Sequence, residues 1–143
     1  GLSLRDARAW RTTATQILKK HKIFTHDPTK FVSNKLLKTS KPVGDFSYEE
    51  IEDTARHIVQ RDLNSLRHCD ILLVNMILGE HLEGKRIPLG TSMEMIMANK
   101  AYHLPIIGVT NCLEGRPWWD GVVTHSCSSL DQALHYITKH YGR

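Results

Sequence analysis

The stretch IPLGTSMEMIMANKAY, residues 87–102, decides the expected fold because it lies between two short apolar segments. Residues 70–77 precede it and residues 105–110 follow it, and both have the length and composition of buried parallel strands. Within the stretch, Pro88 and Gly90 indicate a turn, after which apolar residues recur at helical spacing. The predicted order is strand, loop, helix and strand, which is typical of an open α/β sheet.

A carboxylate, Glu94, follows the predicted turn in the expected first turn of this helix. Open α/β sheets bind ligands at the carboxyl ends of their strands, so the start of the helix should border a ligand crevice. Thr91 and Glu94 also have the spacing of a capping box, in which Thr91 begins the helix and Glu94 bonds back to it. The residues alone leave both interpretations of Glu94 open.

Two motifs resemble the nucleoside 2-deoxyribosyltransferase family and its nucleotide N-glycosidase relatives. They are GTSME at residues 90–94 and RDLNSLRHCDILLV at residues 61–74, and the resemblance is strongest over residues 61–109. It implies cleavage of the N-glycosidic bond of a nucleoside or nucleotide, with transfer of the 2-deoxyribosyl group to another base. It also implies a small-molecule substrate and a homo-oligomer with shared active sites.

The resemblance assigns a role to two acidic residues. Glu94 matches the family nucleophile. Asp62 matches a family aspartate that lies eight residues before the aspartate opening a strand, and Asp70 matches that second aspartate. The sequence departs from the family near Pro88, where the transferases usually carry a second acidic residue. The hydroxyl groups of Thr91 and Ser92 and the backbone amides at the start of the predicted helix can bind a sugar hydroxyl or a 5′-phosphate. The candidate substrate-binding residues are Gly90, Thr91, Ser92 and Asn75.

Several alternatives stay open from the sequence. A 5′-phosphate at the turn would favour a nucleotide N-glycosidase that transfers the sugar to water, and a non-catalytic nucleotide-binding or interaction module is a third class. Asp62 beside Arg61 also fits a surface ion pair. The adjacent Trp118 and Trp119 lie in a predicted loop and fit either base stacking or packing against another subunit.

The rest of the chain predicts one domain over residues 1–143, with a three-layer α/β/α architecture and a mostly parallel sheet of about five strands. Flavodoxin-like strand order is expected. Because such a fold normally opens on a strand, the N-terminal helix indicates that a first strand is missing from this chain. The further predicted elements are a helix over 4–21, a strand over 22–26, a helix capped by Ser47 with Glu50, a strand over 121–125 and a helix from Ser128 or Ser129 to Gly142.

Composition narrows the expected class of protein. The chain has a mild net charge of +4, mixed along most of its length, which fits anionic small molecules as well as nucleic acid. The basic segment over residues 29–46 fits a solvated loop better than a nucleic-acid-binding patch, so nucleic acid is an unlikely partner. Three cysteines without a C-x-x-C pair predict a reducing, cytoplasmic setting. No metal-ligand spacing or nucleotide-cofactor motif is present, so no metal and no cofactor are expected. No membrane-spanning run or signal peptide is visible, and a soluble protein is expected.

Overall fold

A computed structural model of the chain describes residues 4–31, 47, 55–77 and 89–143. From residue 72 onward, strands alternate with helices along the described chain. The elements are α1 Leu4–Lys20, a 3-10 turn Pro28–Phe31, α2 Ala55–Arg67, β1 Leu72–Met76, α3 Leu89–Lys100, β2 Ile106–Thr110, α4 Pro117–Asp120, β3 His125–Cys127 and α5 Leu130–Tyr141. No helix in these described ranges is both long and apolar enough to cross a lipid bilayer.

The described sheet is parallel throughout and has the order β1-β2-β3. Leu72 pairs with Ile106, and Ile107 pairs with His125. All five residues of β2 are buried, as expected for a central parallel strand covered on both faces. The predicted α/β class with an open parallel sheet is confirmed, and the order is compatible with a flavodoxin-like fold.

Two hydrophobic clusters occupy opposite faces of β2, because successive strand residues point in opposite directions. Ile106 belongs to the first cluster, whereas Ile107 and Val109 belong to the second. The first cluster includes residues of α2, α3 and α4, and the second includes residues of α1 and α5. The helix residues buried in these clusters are Leu66, Met95, Ala98 and Trp119 in the first, and Ala14, Leu18, Ala133, Leu134 and Ile137 in the second.

The two terminal helices were predicted correctly. The helix predicted over residues 4–21 is α1. The closing helix α5 begins after Ser129, whose side chain accepts a hydrogen bond from the Gln132 amide, and it ends at Gly142. A hydroxyl cap and a terminal glycine are local signals, which explains why the sequence located both ends of α5.

The strand predicted over residues 22–26 is wrong. This segment has no strand assignment and pairs with none of the described strands. The amides of Lys22 and Ile23 donate to carbonyls at the end of α1 instead. Side chains hold the rest of the segment, with Thr25 Oγ1 2.9 Å from Thr15 Oγ1 and His26 Nε2 2.8 Å from Ser65 Oγ. An apolar run becomes a strand only where a neighbouring strand supplies backbone partners.

The last strand lies further along the chain than predicted, over residues 125–127 instead of 121–125. The amides of Val122 and Val123 both donate to the Trp119 carbonyl, which extends the turn after α4. Their donors are therefore unavailable to a strand ladder. The first backbone bond to β2 comes from the Thr124 amide, which donates to the Ile106 carbonyl, and the paired strand residues begin at His125.

Some predictions lie largely outside the described residues. Helix α2 confirms the second half of the helix predicted to begin at Ser47. The predicted start, a capping box of Ser47 and Glu50, lies outside the described residues except for Ser47. The same holds for most of the basic segment over residues 29–46 and for the polar loop over residues 78–86.

Gly108 provides a test of how the first cluster packs on β2. A Cβ atom at this position would lie 2.5 Å from Trp119 Cζ2, and this indole is buried and cannot rotate away freely. Gly108→Ala should lower the free energy of unfolding by about 1–3 kcal/mol through overpacking. Urea denaturation measures this, and Gly90→Ala is the control, because a Cβ there meets nothing within 4 Å. Equal stability of the two variants would contradict the packing.

Candidate active site

The structure brings together the two predicted catalytic acids, Asp62 and Glu94. Asp62 lies on α2 and Glu94 on α3, and these helices pack against each other. The Asp62 carboxylate acts electrostatically on Glu94 and raises its pKa. The predicted ion pair with Arg61 is also present, with Arg61 Nε 3.3 Å from Asp62 Oδ1. Asp62 is half-buried, and it takes part in the ion pair while its charge also acts on Glu94.

Glu94 has a strongly perturbed carboxyl group. Burial raises its pKa, the negative charge of Asp62 raises it further, and the positive charge of Arg11 lowers it, with the result at about 7. The side chain is therefore close to half ionised at neutral pH. A carboxyl group whose pKa is moved towards neutrality by burial and by a specific charged neighbour is typical of functional sites.

Arg11 is the site residue that the sequence motifs did not predict. Its Nε lies 3.6 Å from Asp27 Oδ1, and its positive charge also acts on Glu94. Asp27 is only 7% exposed, and its Oδ1 accepts hydrogen bonds of 2.9 and 2.7 Å from the amide and hydroxyl of Thr29. The half-buried Arg11 thus pairs with Asp27 and also acts electrostatically on Glu94.

A periodicity signal could have identified Arg11. Ala7, Ala14 and Leu18 are buried on α1, and Arg11 continues the same helical spacing between Ala7 and Ala14. An arginine within an apolar stripe requires a partner for its charge, because an unpaired buried cation is strongly unfavourable. The stripe therefore indicates that an acidic group lies opposite, although it does not identify which one.

The predicted capping box is wrong. Helix α3 begins at Leu89, so Thr91 is already helical and Glu94 lies in the second turn. The structure forms no hydrogen bond between Thr91 and Glu94, both of which it describes. Gly90 is likewise helical rather than part of a turn.

The predicted substrate-binding residues only partly share the face of Glu94. Gly90 and Thr91 precede Glu94 by four and three positions on α3, which places them on its face of the helix, whereas Ser92 lies to one side. Thr91 and Ser92 are half-buried. Asn75 lies in β1, where its Oδ1 accepts a 3.3 Å hydrogen bond from the Ile77 amide.

The two adjacent tryptophans have different environments. Trp119 is 5% exposed and packs in the first cluster, with its Nε1 donating to Ser126 Oγ at 3.1 Å. It is therefore a core residue and neither stacks on a base nor meets another subunit. Trp118 is 80% exposed, so both predicted roles apply to it alone.

A cavity of about 450 Å³ lies away from these acids. It borders the last turn of α3 and the start of β2, at the edge of the sheet opposite the carboxyl ends of the strands. Its lining residues are Asn99, Lys100, His103, Leu104, Pro105 and Thr124. No perturbed acid lines this cavity, so the constellation of Glu94, Asp62 and Arg11 is the stronger candidate. Among the described residues, no group of three His, Cys, Asp or Glu side chains could hold a metal ion.

No protein-family model matches the chain, and neither a curated protein nor a solved structure matches it. The resemblance carried by residues 61–74 and 90–94 therefore stays a prediction.

The raised pKa of Glu94 predicts that ionisation of this residue destabilises the folded protein, whereas ionisation of a helix-capping glutamate would stabilise it. In the folded protein its pKa is about 7, above the ordinary value of 4.5, so folding favours the protonated form. The stability that this provides is complete below pH 4.5 and is lost as the pH rises through 7. Glu94→Gln is neutral at every pH, and its stability relative to wild type should rise between pH 5 and pH 8, by up to about 3 kcal/mol.

Chemical denaturation at the two pH values measures this difference. Glu114→Gln is the matched control, because Glu114 is exposed and a glutamine there can still accept the hydrogen bond from Ser126. A Glu94→Gln variant that is destabilised equally at pH 5 and pH 8 would show that the carboxylate has only a structural role.

Proposed function

We propose that the protein cleaves the N-glycosidic bond of a (deoxy)nucleoside or nucleotide and transfers the 2-deoxyribosyl group to another base. The observation that carries this proposal is the half-buried pair of acids, Glu94 and Asp62, on two adjacent helices. Glycosyl transfer through a covalent intermediate uses a carboxylate nucleophile, and a second polar group orients the sugar or the nucleophile. The same two residues carry the family resemblance.

In the proposed reaction, the Glu94 carboxylate attacks the anomeric carbon and forms a glycosyl ester while the N-glycosidic bond breaks. The bonding electron pair leaves with the base, which takes up a proton. An N–H nitrogen of a second base then attacks the same carbon, loses its proton to solvent and releases the carboxylate. Burial of Glu94 strengthens its attraction to the positive charge that develops on the sugar, because fewer water molecules screen it.

The proposed fold of the complete domain is the three-layer flavodoxin-like arrangement with about five strands. Its support is the division of the helices between the two clusters, with α1 and α5 in one and α2, α3 and α4 in the other. The three described strands would be the last three of the order 2-1-3-4-5. The acids then border the carboxyl ends of the strands, where such folds bind ligands.

A single assay distinguishes the transferase from its alternatives. The protein is incubated with deoxynucleosides and with their 5′-monophosphates, with and without a second base, and products are separated by chromatography. We expect exchanged nucleoside when the second base is present. Release of free base from monophosphates alone would indicate the nucleotide N-glycosidase, and no product from any substrate would indicate a binding module.

Glu94→Gln tests the nucleophile. The amide keeps the length of the side chain but is a far poorer nucleophile, so turnover should fall by several orders of magnitude. Mass spectrometry of the wild-type protein with a 2-fluoro-substituted substrate should detect a covalent adduct on Glu94, because fluorine destabilises the oxocarbenium-like state and slows release. Wild-type turnover in the variant, or an adduct on another residue, would refute the mechanism.

Asp62→Asn tests the second acid. Turnover should fall about tenfold or more, because a charge beside the reacting sugar is lost without a change in volume. The acid limb of kcat/KM should also move to lower pH, because the negative charge that raises the pKa of Glu94 is gone. Asp131→Asn, an exposed residue of α5, is the control. An unchanged pH profile would place Asp62 outside the site.

A further inference from the structure

The cavity at the amino end of the sheet is lined by three parts of the chain that meet there. Its volume of about 450 Å³ lies in the range of small-ligand sites. Asn99 and Lys100 come from the last turn of α3, His103 to Pro105 from the connection into β2, and Thr124 from the residues before β3. Lys100 and His103 are exposed, so a solute can reach both. None of the six lining residues is acidic, and the lining therefore carries a net positive charge.

Hydrogen bonds fix two of the polar side chains that line this cavity. The Thr124 amide donates to the Ile106 carbonyl at 2.8 Å, and the Thr124 hydroxyl accepts from the Ile106 amide at 3.0 Å. Asn99 Nδ2 donates to the Val122 carbonyl at 3.3 Å, which connects the end of α3 to the turn that follows α4. Because both side chains are already held in place, a ligand would lose little affinity in ordering them.

The lining side chains retain hydrogen-bonding groups that the protein does not use. The Thr124 oxygen accepts the Ile106 amide, so its own proton points elsewhere, and no described residue accepts that proton. Asn99 must direct its nitrogen at the Val122 carbonyl, because a carbonyl needs a donor, and its Oδ1 is left as an acceptor. Among the described residues, Lys100 has no ion-pair partner and the His103 ring has no hydrogen-bond partner. The lining thus offers three donor side chains and one acceptor.

The backbone of His103 lies in the left-handed region, with a φ of 53°. Glycine is the usual residue just after a helix in this conformation, because a side chain is disfavoured there. The Leu104 amide donates to the Ala98 carbonyl at 2.8 Å, and the Tyr102 amide donates to the Met97 carbonyl at 3.2 Å, so the turn that ends α3 fixes this backbone. An imidazole at a position where glycine would suit the fold better indicates a role for the side chain.

We propose that this cavity binds a small phosphorylated molecule. Lys100, His103 and Thr124 donate to the phosphate, and Asn99 Oδ1 accepts a hydrogen bond from a hydroxyl or N–H group elsewhere on the ligand. A phosphate group has three acceptor oxygens for the three donors, whereas a carboxylate has two. The inference goes beyond the proposed function, because the site lies at the other edge of the sheet and takes no part in glycosyl transfer.

The two basic side chains also complement the negative end of the α3 helix dipole. Helix α5 provides the comparison, because it too ends on an exposed lysine and histidine, Lys139 and His140. Neither of these residues lines the cavity. Nonspecific attraction of phosphate to basic helix ends would involve both helices equally, whereas the proposed site depends on Lys100 and not on Lys139.

Titration with inorganic phosphate, followed by nitrogen-15 NMR at constant ionic strength, tests the site. We expect saturable shifts of the backbone amides at residues 99–104 and 124. A parallel titration with acetate should show binding that is several times weaker, because a carboxylate has fewer acceptor oxygens. Equal affinity for acetate and phosphate would overturn the assignment of the ligand as a phosphate.

Three variants test the lining residues. Lys100→Gln should weaken phosphate binding about tenfold, because one charge-assisted hydrogen bond is lost. His103→Gly should weaken phosphate binding while the stability towards urea stays equal or rises, because glycine suits the left-handed backbone. Lys139→Gln removes the corresponding lysine of α5 and should leave the affinity unchanged.

The outcomes separate this site from the proposed substrate site. Equal weakening by Lys100→Gln and Lys139→Gln would overturn the proposal, because it would show that net charge alone attracts phosphate. Shifts confined to residues 89–94 would also overturn it and would place phosphate at the start of α3, near the proposed nucleophile. Shifts that never saturate would show that no site exists. The titration involves no base release, so its failure would leave the proposed glycosyl chemistry untouched, and failure of that chemistry would leave this site untouched.

Discussion

Burial of β2 on both faces is the constraint on which the described structure depends. All five of its residues are buried, so one set of helices must cover Ile106 while another covers Ile107 and Val109. A parallel neighbour on each side satisfies the backbone of β2, and each parallel connection carries a helix. The alternation of strands and helices after residue 72 follows from these two requirements.

The same packing creates the charged site. Helices α2 and α3 pack against each other on one side of the sheet and bring Asp62 towards Glu94. Removal of water from Glu94 is the largest effect on its pKa, and the two charged neighbours oppose each other. Burial therefore changes the pKa of Glu94 more than the neighbouring charges do. An identical pair of acids on a solvated surface would titrate almost independently, because water screens them.

The sequence predicted those features that depend on local signals. Apolar runs located β1 and β2, and Ser129 and Gly142 located the ends of α5. The predictions were wrong where atoms from distant parts of the chain determine the secondary structure. Residues 22–26 lack a strand partner, and the amides after α4 are taken by the Trp119 carbonyl. The same is true of the candidate site. The motifs predicted Glu94 and Asp62, but they did not predict Arg11, whose place beside Asp27 depends on how separate parts of the chain pack.

The electrostatics of Glu94 also explain why a structural role alone accounts poorly for this residue. Leaving a partly buried carboxylate beside Asp62 costs stability above neutral pH, and Arg11 offsets only part of that cost. A helix cap would avoid the cost, because it would bond to the backbone amides at the start of α3, yet the helix begins too early for Glu94 to do so. Strain of this kind is common at functional sites, where a reactive group must be held ready. The destabilised carboxylate therefore supports a chemical role for Glu94 more strongly than its motif does.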